Sequence, residues 1–291
     1  MNSRSAGILL VGFLACLLAG MPARPPATAT ESPYPTDLLR VADRGIVPLA
    51  RAIAEVAPGT AVFVGEIHDQ VSHHWAQLAL IRALRLAGHE VAIAVEVFRA
   101  DYQPVLDRWV AGDLSEPQFV PVYHRNWSDW DHYAEIFRYA RAEKIPMAGL
   151  NVSREVVRQV AREGFSSLSE EQLGQLPPVT CNVDPAYRAF IRRSFHFPEK
   201  SDKDFEYFCE AQLTWDSAMA WHLRRYREAN PGTTVVVIAG SGHAWKRGIP
   251  ARLGRMGDRA FRVVLPETAD LNRETVGADD ADYLWLDLPL R

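Results

Sequence analysis

Four short segments of the 291-residue chain carry side chains suited to proton transfer or metal ligation: Gly65-Glu66-Ile67-His68, Glu96, Asn151 and Gly240-Ser241-Gly242-His243. Carboxylates and imidazoles are common general acids and bases, and they also ligate divalent transition metals. Each segment follows directly on a short apolar run: Ala61 to Val64, Val91 to Val95, Pro146 to Leu150 and Thr234 to Ala239. In a parallel sheet, the loops leaving the carboxyl ends of the strands border one crevice. The expectation is therefore a shared pocket in which Glu66, His68, Glu96 and His243 surround a metal ion. Glu66 or Glu96 would act as general base, and Asn151 would sit at the same edge. Taken singly, each carboxylate could cap a helix or pair with an arginine, and each histidine could be a satisfied core residue. The conjunction of the four favours a site.

Further polar groups fall near the same edge. His73, His74 and Gln77 open the helix expected after the first strand, and one imidazole shares a face with Gln77. Gln212 and Asp216 interrupt an apolar stripe through Phe205, Cys209, Met219 and Leu223, where a buried polar group needs a partner. They are expected to line the crevice and to orient histidine ligands. Ser241 is no nucleophile elbow, because Ala239 and His243 stand where glycines are required, and the Gly-Ser-Gly turn lacks the Lys-Ser/Thr of a phosphate loop. The stretch Tyr123, His124, Trp127, Trp130, His132 and Tyr133, with Phe195-His196-Phe197, offers stacking surface and axial ligands for haem, although such clusters more often form core.

The elements that must position these groups follow from periodicity. Six short runs, the four above with Ala260 to Leu265 and Tyr283 to Leu286, alternate with helical patterns at about Ser72 to Ala87, Asp129 to Lys144 and Asp204 to Ala229. Continuous apolar runs between helices predict an α/β fold with a largely parallel sheet buried on both faces. A further helix is expected before the first strand, through Leu38, Leu39, Val41 and Ile53. Residues 152–229 read as a helical insertion and return helix, residues 30–151 and 230–291 as the α/β domain, and residues 1–29 as a leader. The leader assignment rests on Arg4, the apolar run Ile8 to Leu18 and Ala27-Thr28-Ala29.

Composition narrows the function. A net charge of −4, made more acidic by loss of Arg4 and Arg24 with the leader, leaves no basic footprint for nucleic acid. Leu14-Ala15-Cys16 is a weak lipobox, so the exported form is a periplasmic protein or a lipid-anchored one. Cys181 and Cys209 could pair in an oxidising compartment.

Taken together, Gly65-Glu-Ile-His68, His73-His74, Gln77, Glu96-Val-Phe98, Gln103, Gln212, Trp215-Asp216, Met219-Ala220, Gly240-Ser-Gly-His243 and Gly248-Ile-Pro250 resemble the ChaN family of haem-binding uptake proteins, grouped with the Tiki/TraB superfamily. The resemblance implies a parallel α/β domain with a small helical domain. It also implies export, an outer-membrane partner or lipid anchor, and haems held between two protomers. A tyrosine would be the iron ligand, with Tyr123, Tyr133 and Tyr187 as candidates. The wider superfamily implies the alternative: a metal-dependent hydrolase of a small-molecule or peptide substrate, with Glu66, His68, Glu96 and His243 at the metal.

Overall fold

The computed structural model describes residues 36–174, 176–177, 184–194 and 201–289. The leader, Cys16, Cys181 and Phe195-His196-Phe197 lie outside the described residues. In chain order the elements are β1 (Asp37–Arg40), β2 (Gly45–Pro48), α1 (Leu49–Ile53), β3 (Ala61–Glu66), α2 (Val71–Leu86), β4 (Val91–Arg99), α3 (Gln103–Ala111), α4 (Glu116–Asn126) and α5 (Trp130–Ala142). There follow β5 (Met147–Asn151), α6 (Arg154–Glu163), α7 (Glu170–Gly174), α8 (Pro185–Ser194), α9 (Asp202–Ala229), β6 (Thr234–Gly240), α10 (Ser241–Ala244), α11 (Ile249–Arg255), β7 (Phe261–Pro266) and β8 (Tyr283–Trp285).

Among the described residues the strands form one eight-stranded sheet in the order β2-β1-β8-β7-β3-β6-β4-β5. The six strands anticipated from sequence, β3 to β8, run parallel to one another. Their unbroken apolar character has a simple cause. Val62, Val64, Ile93, Val95, Val236 and Ile238 enter one core with Leu80, Ile81, Trp109, Phe119 and Phe137 of the first helices. The alternate residues Ala61, Phe63, Ala94, Val235 and Val237 enter a second core with Met219 and Leu223 of α9 and Leu253 of α11. A strand covered on both faces has no solvent side to mark with polar residues. Much of the aromatic stretch between Trp109 and Phe137 is likewise core: Tyr123, Trp130 and Tyr133 are buried.

The helix expected before the first strand is replaced by an antiparallel hairpin on the sheet's edge. Leu38 and Leu39 lie in β1, Val41 in the turn, and only Ile53 in a helix, the short α1. Asp43 explains the reversal, since its carboxylate accepts the Gly45 N–H at 3.1 Å while Arg44 takes a φ of 63°. A local side-chain bond to the backbone thus overrides a helical-looking spacing.

Residues 152–229 carry helices α6 to α9. Ser201 and Asp204 cap the start of α9 reciprocally, the Ser201 N–H and hydroxyl both donating to the Asp204 carboxylate. The first half of α9 gathers two small clusters: Val156, Val157 and Val160 of α6 with Ala211 and Ala218, and Tyr187 and Ile191 of α8 with Phe205, Cys209 and Leu213. Its second half packs on the sheet. Among the described residues no helix is long and apolar enough to cross a membrane.

β4 carries a register shift between Val95 and Arg99 beside β5, so the backbone of Phe98 and Arg99 presses on Gly149. A β-carbon at Gly149 would lie 2.5 Å from the Arg99 carbonyl oxygen, inside any tolerable contact. Gly149→Ala is expected to destabilise the protein by ~2 kcal/mol, because backbone must move. Denaturant unfolding measures this, and a change within error would mean that β4 does not hold this course.

Candidate functional site

Glu66 ends β3, and its carboxylate is fully enclosed. Burial of a carboxylate is costly unless donors meet its oxygens, and here they do. Oε1 accepts from His68 Nδ1 at 2.7 Å and from the Tyr133 hydroxyl of α5. Oε2 accepts from Gln77 Nε2 at 2.6 Å and lies 3.3 Å from His74 Nδ1. His74 is itself oriented, because its Nε2–H donates to the His68 carbonyl at 2.9 Å. α2 therefore delivers His74 and Gln77 from one face, as their spacing predicts. Burial pushes the Glu66 carboxyl upward, but the bonds from His68 and His74 outweigh it and hold the group well below the carboxylate range. The reciprocal effect raises His68 and His74 despite their own burial.

A second unit is built across β4, β6 and α9. The Gly240 N–H donates to Glu96 Oε2 at 2.7 Å. His243, on the one-turn helix α10, donates from Nδ1 to Asp216 Oδ1 at 2.7 Å and holds Nε2 3.8 Å from Glu96 Oε1. The Tyr187 hydroxyl of α8 donates to the other Asp216 oxygen. Burial disfavours a charge on His243, yet the carboxylates of Glu96 and Asp216 prevail and push its pKa up to about 9. The two units meet at Gly240. A β-carbon there would lie 2.9 Å from His68 Nε2 and 3.7 Å from Glu96 Oε2, so the strand end must be glycine for the His68 ring to lie over it.

Glu66, His68, Glu96 and His243 come together at the carboxyl edge of β3, β4 and β6, although Glu96 does not line the cavity there. A cavity of about 340 Å3 opens there, lined by Glu66, His68, His243 and Gln212 together with the apolar side chains of Phe190 and Phe208. The Trp127 ring packs against His68 at 5.1 Å and carries the Arg154 guanidinium at the same distance from its centre. Asp216 orients His243, the role its place in the apolar stripe suggests. Two of the anticipated groups lie elsewhere. His73 accepts the Ile67 N–H at 2.9 Å and packs toward Leu265 and Trp285, on the far side of the β3 end. Asn151 donates to the Glu96 carbonyl at 2.9 Å and faces a separate cleft beyond β5.

The three tyrosines offered as candidate iron ligands, Tyr123, Tyr133 and Tyr187, are all buried. The last two donate their hydroxyls to Glu66 and Asp216, and Tyr187 lines the rim pocket. Tyr133 and Tyr187 thereby complete the hydrogen bonding of enclosed carboxylates. A tyrosine on an apolar helix face with no visible partner gives little sequence signal for that role. The metal expectation meets a similar geometry. Among the described residues no group of three His, Cys, Asp or Glu side chains stands ready to hold an ion. Glu66 Oε1 with His68 Nδ1, and Asp216 Oδ1 with His243 Nδ1, form imidazole–carboxylate pairs that fix the two rings.

The Asp216–His243 pair sets a pH dependence. Because the folded-state pKa of His243 lies above its ordinary 6.5, the stabilisation is fully present below pH 6.5 and fades as pH rises through about 9. It amounts to at most about 3 kcal/mol. In Asp216→Asn the His243 pKa is expected to fall back toward 6.5, and the stability gap between the two proteins should narrow between pH 6.5 and 9. NMR titration of the imidazole, with urea unfolding at each pH, checks both; an unmoved His243 titration would refute the assignment.

Comparison with known proteins accords with this architecture. A family model described as haem-binding uptake, Tiki superfamily, ChaN matches residues 52–253. The chain is similar in structure to ChaN of Campylobacter jejuni, solved with cofacial haem binding, at a TM-score of 0.68 and 18% identity, covering 85% of this chain and 95% of that one. Weaker likenesses include a mutant of the erythromycin esterase EreC in its open conformation, at a TM-score of 0.46 and 16% identity over 72% of this chain and 70% of that one. The type III effector HopBA1 follows at 0.45 and 13%, over 77% of this chain and 86% of that one. No curated protein matches the chain. With the family model spanning most of the sequence and the rim motifs in place, this chain belongs to the haem-binding uptake family of ChaN within the Tiki superfamily.

Proposed function

We propose that this protein binds haem and serves haem or iron uptake as an exported protein, working as a pair of like subunits. Family membership over residues 52–253 is the observation that carries the reading. The cofacial haem binding named for the Campylobacter jejuni relative supports a second copy of the chain as partner. The leader-like N-terminus supports export, and Cys16 would make a lipid anchor if its weak lipobox is used.

The rim pocket of one chain measures about 340 Å3, and His243 Nε2 stands 3.8 Å from Glu96 Oε1, an ion-pair distance. The second reading, a divalent-metal hydrolase at this rim, draws on the convergence of Glu66, His68, Glu96 and His243. It stands behind the first because the family model that matches the chain is one of haem binding.

Titration of the purified protein with haemin is expected to give a saturable Soret shift that persists in the Glu66→Ala plus His243→Ala double variant, with no stoichiometric metal by mass spectrometry. Absence of saturable binding, with one metal per chain lost in the double variant, would overturn the haem reading in favour of the hydrolase. Intact mass of the exported protein reports leader removal and any lipid on Cys16.

A further inference from the structure

β5 is the last strand of the sheet, and beyond it lies a cleft of about 950 Å3 that shares no lining residue with the rim pocket. An exposed strand edge normally invites pairing with another chain. Here the edge is already occupied: the Gln103 side chain donates to the Met147 carbonyl at 2.7 Å and accepts the Gly149 N–H at 3.0 Å. A ninth strand is thereby kept out, and the cleft falls within the roughly 300–1,000 Å3 usual for small-molecule sites.

His222 and Arg225 both line it from α9, and residues three apart on a helix share a face. His222 Nδ1 lies 2.7 Å from the Leu150 carbonyl oxygen, and because a carbonyl only accepts, Nδ1 carries the proton. Nε2 then bears the lone pair, and among the described residues no donor meets it. Burial, aided by the charge of Arg225, lowers the His222 pKa and keeps the ring neutral, so this nitrogen stays an acceptor. Arg225 offers the opposite chemistry. It is exposed, its guanidinium lies 4.9 Å from the centre of the Trp221 ring, and among the described residues it pairs with no carboxylate. Arg99, across the cleft, is by contrast bound to Asp101. One helical turn sets the β-carbons of such a pair about 5 to 6 Å apart, a gap that one aromatic ring with substituents at opposite ends can bridge. Val156 and Leu176 supply apolar wall for such a ring. Asp101 and Asp107 also line the cleft, which favours a singly charged carboxylate over a phosphate.

We propose that this cleft binds a flat, ring-bearing hydroxy acid, its hydroxyl donating to His222 Nε2 and its carboxylate facing Arg225. A carbonyl set against His222 would bring two acceptors together, and an uncharged ligand would leave Arg225 without a counter-ion. The site stands apart from the haem reading: cofacial haem calls for two copies of the chain, whereas every group used here belongs to one.

Amide NMR of the full chain, titrated with para-hydroxybenzoate, benzoate and methyl para-hydroxybenzoate, tests it. The hydroxy acid is expected to bind saturably at millimolar concentration or below, with shifts centred on β5 and on α9 around His222. Benzoate lacks the donor and the methyl ester lacks the charge, and each should bind several-fold more weakly. His222→Asn keeps a donor for the Leu150 carbonyl but withdraws the acceptor from the cleft. It should weaken the hydroxy acid ~5-fold and leave benzoate unchanged. Arg225→Gln, at an exposed position where the fold is not at stake, should weaken the hydroxy acid ~5-fold and leave the methyl ester unchanged; it carries the test if His222→Asn fails to fold. Haemin titration should be the same for the wild type and both variants. Absence of saturable shifts, shifts at the rim instead, or variant effects indifferent to the probe's hydroxyl and charge would overturn the site while leaving haem binding standing. Loss of haemin binding in Arg225→Gln would overturn it too, by giving the cleft to the haem.

Discussion

The enclosed carboxylate of Glu66 is the constraint on which the rim depends. A charge without water is tolerable only if nearly every lone pair meets a donor, and four side chains from three elements are needed to do it: His68 from the loop, His74 and Gln77 from α2, and Tyr133 from α5. The requirement runs outward. His74 can face Glu66 only because the His68 carbonyl holds its other nitrogen, and the turn after β3 keeps its shape because the Ile67 N–H is held by His73. Glu66 thus does the positional work of a small hub, fixing α2 and α5 against the end of β3. The same reasoning makes the hub brittle, since deleting one donor leaves a buried anion short of a partner, a costlier change than loss of an ordinary hydrogen bond.

α9 joins this rim to the rest of the molecule. At 28 residues it is long enough to serve three environments in turn. Phe205, Cys209 and Leu213 close over α8; Asp216 reaches His243 at the rim; and His222 and Arg225, about two turns further, look into the cleft past β5. A helix cannot move one of these segments along its axis without moving the others.

Much of this could be read in the residues. Six parallel strands, the long helices and the meeting of Glu66, His68, Glu96 and His243 follow from apolar runs that each deliver a polar group at the same end, since the carboxyl edge of a parallel sheet leaves few other arrangements. What escaped notice was the work of side chains on backbone. Asp43 bends a helical-looking segment into a hairpin, and Gln103 seals the β5 edge, through bonds that no periodicity records. β4 also runs on past Glu96 to Arg99, its register shift letting the chain continue after the site residue instead of turning there. Tyr133 and Tyr187 are silent for a related reason, since a hydroxyl at the tip of a buried ring is what an enclosed carboxylate needs and no spacing marks it.

His222 shows the complementary difficulty. Along α9 it stands between Trp221 and Leu223 without a glycine, a second histidine or a strand end to mark it, and nothing in its spacing separates it from a surface residue. Its distinction comes from a carbonyl 72 positions earlier, at the end of β5, which claims one ring nitrogen and leaves the other available. The rim histidines are opposite in kind. Their Nδ1 atoms face carboxylates, which raise their proton affinity and favour the charged ring. The partner of Nδ1 is a backbone carbonyl for His222 and a carboxylate for His68 and His243, and each kind of partner fixes the tautomer and orientation of its ring.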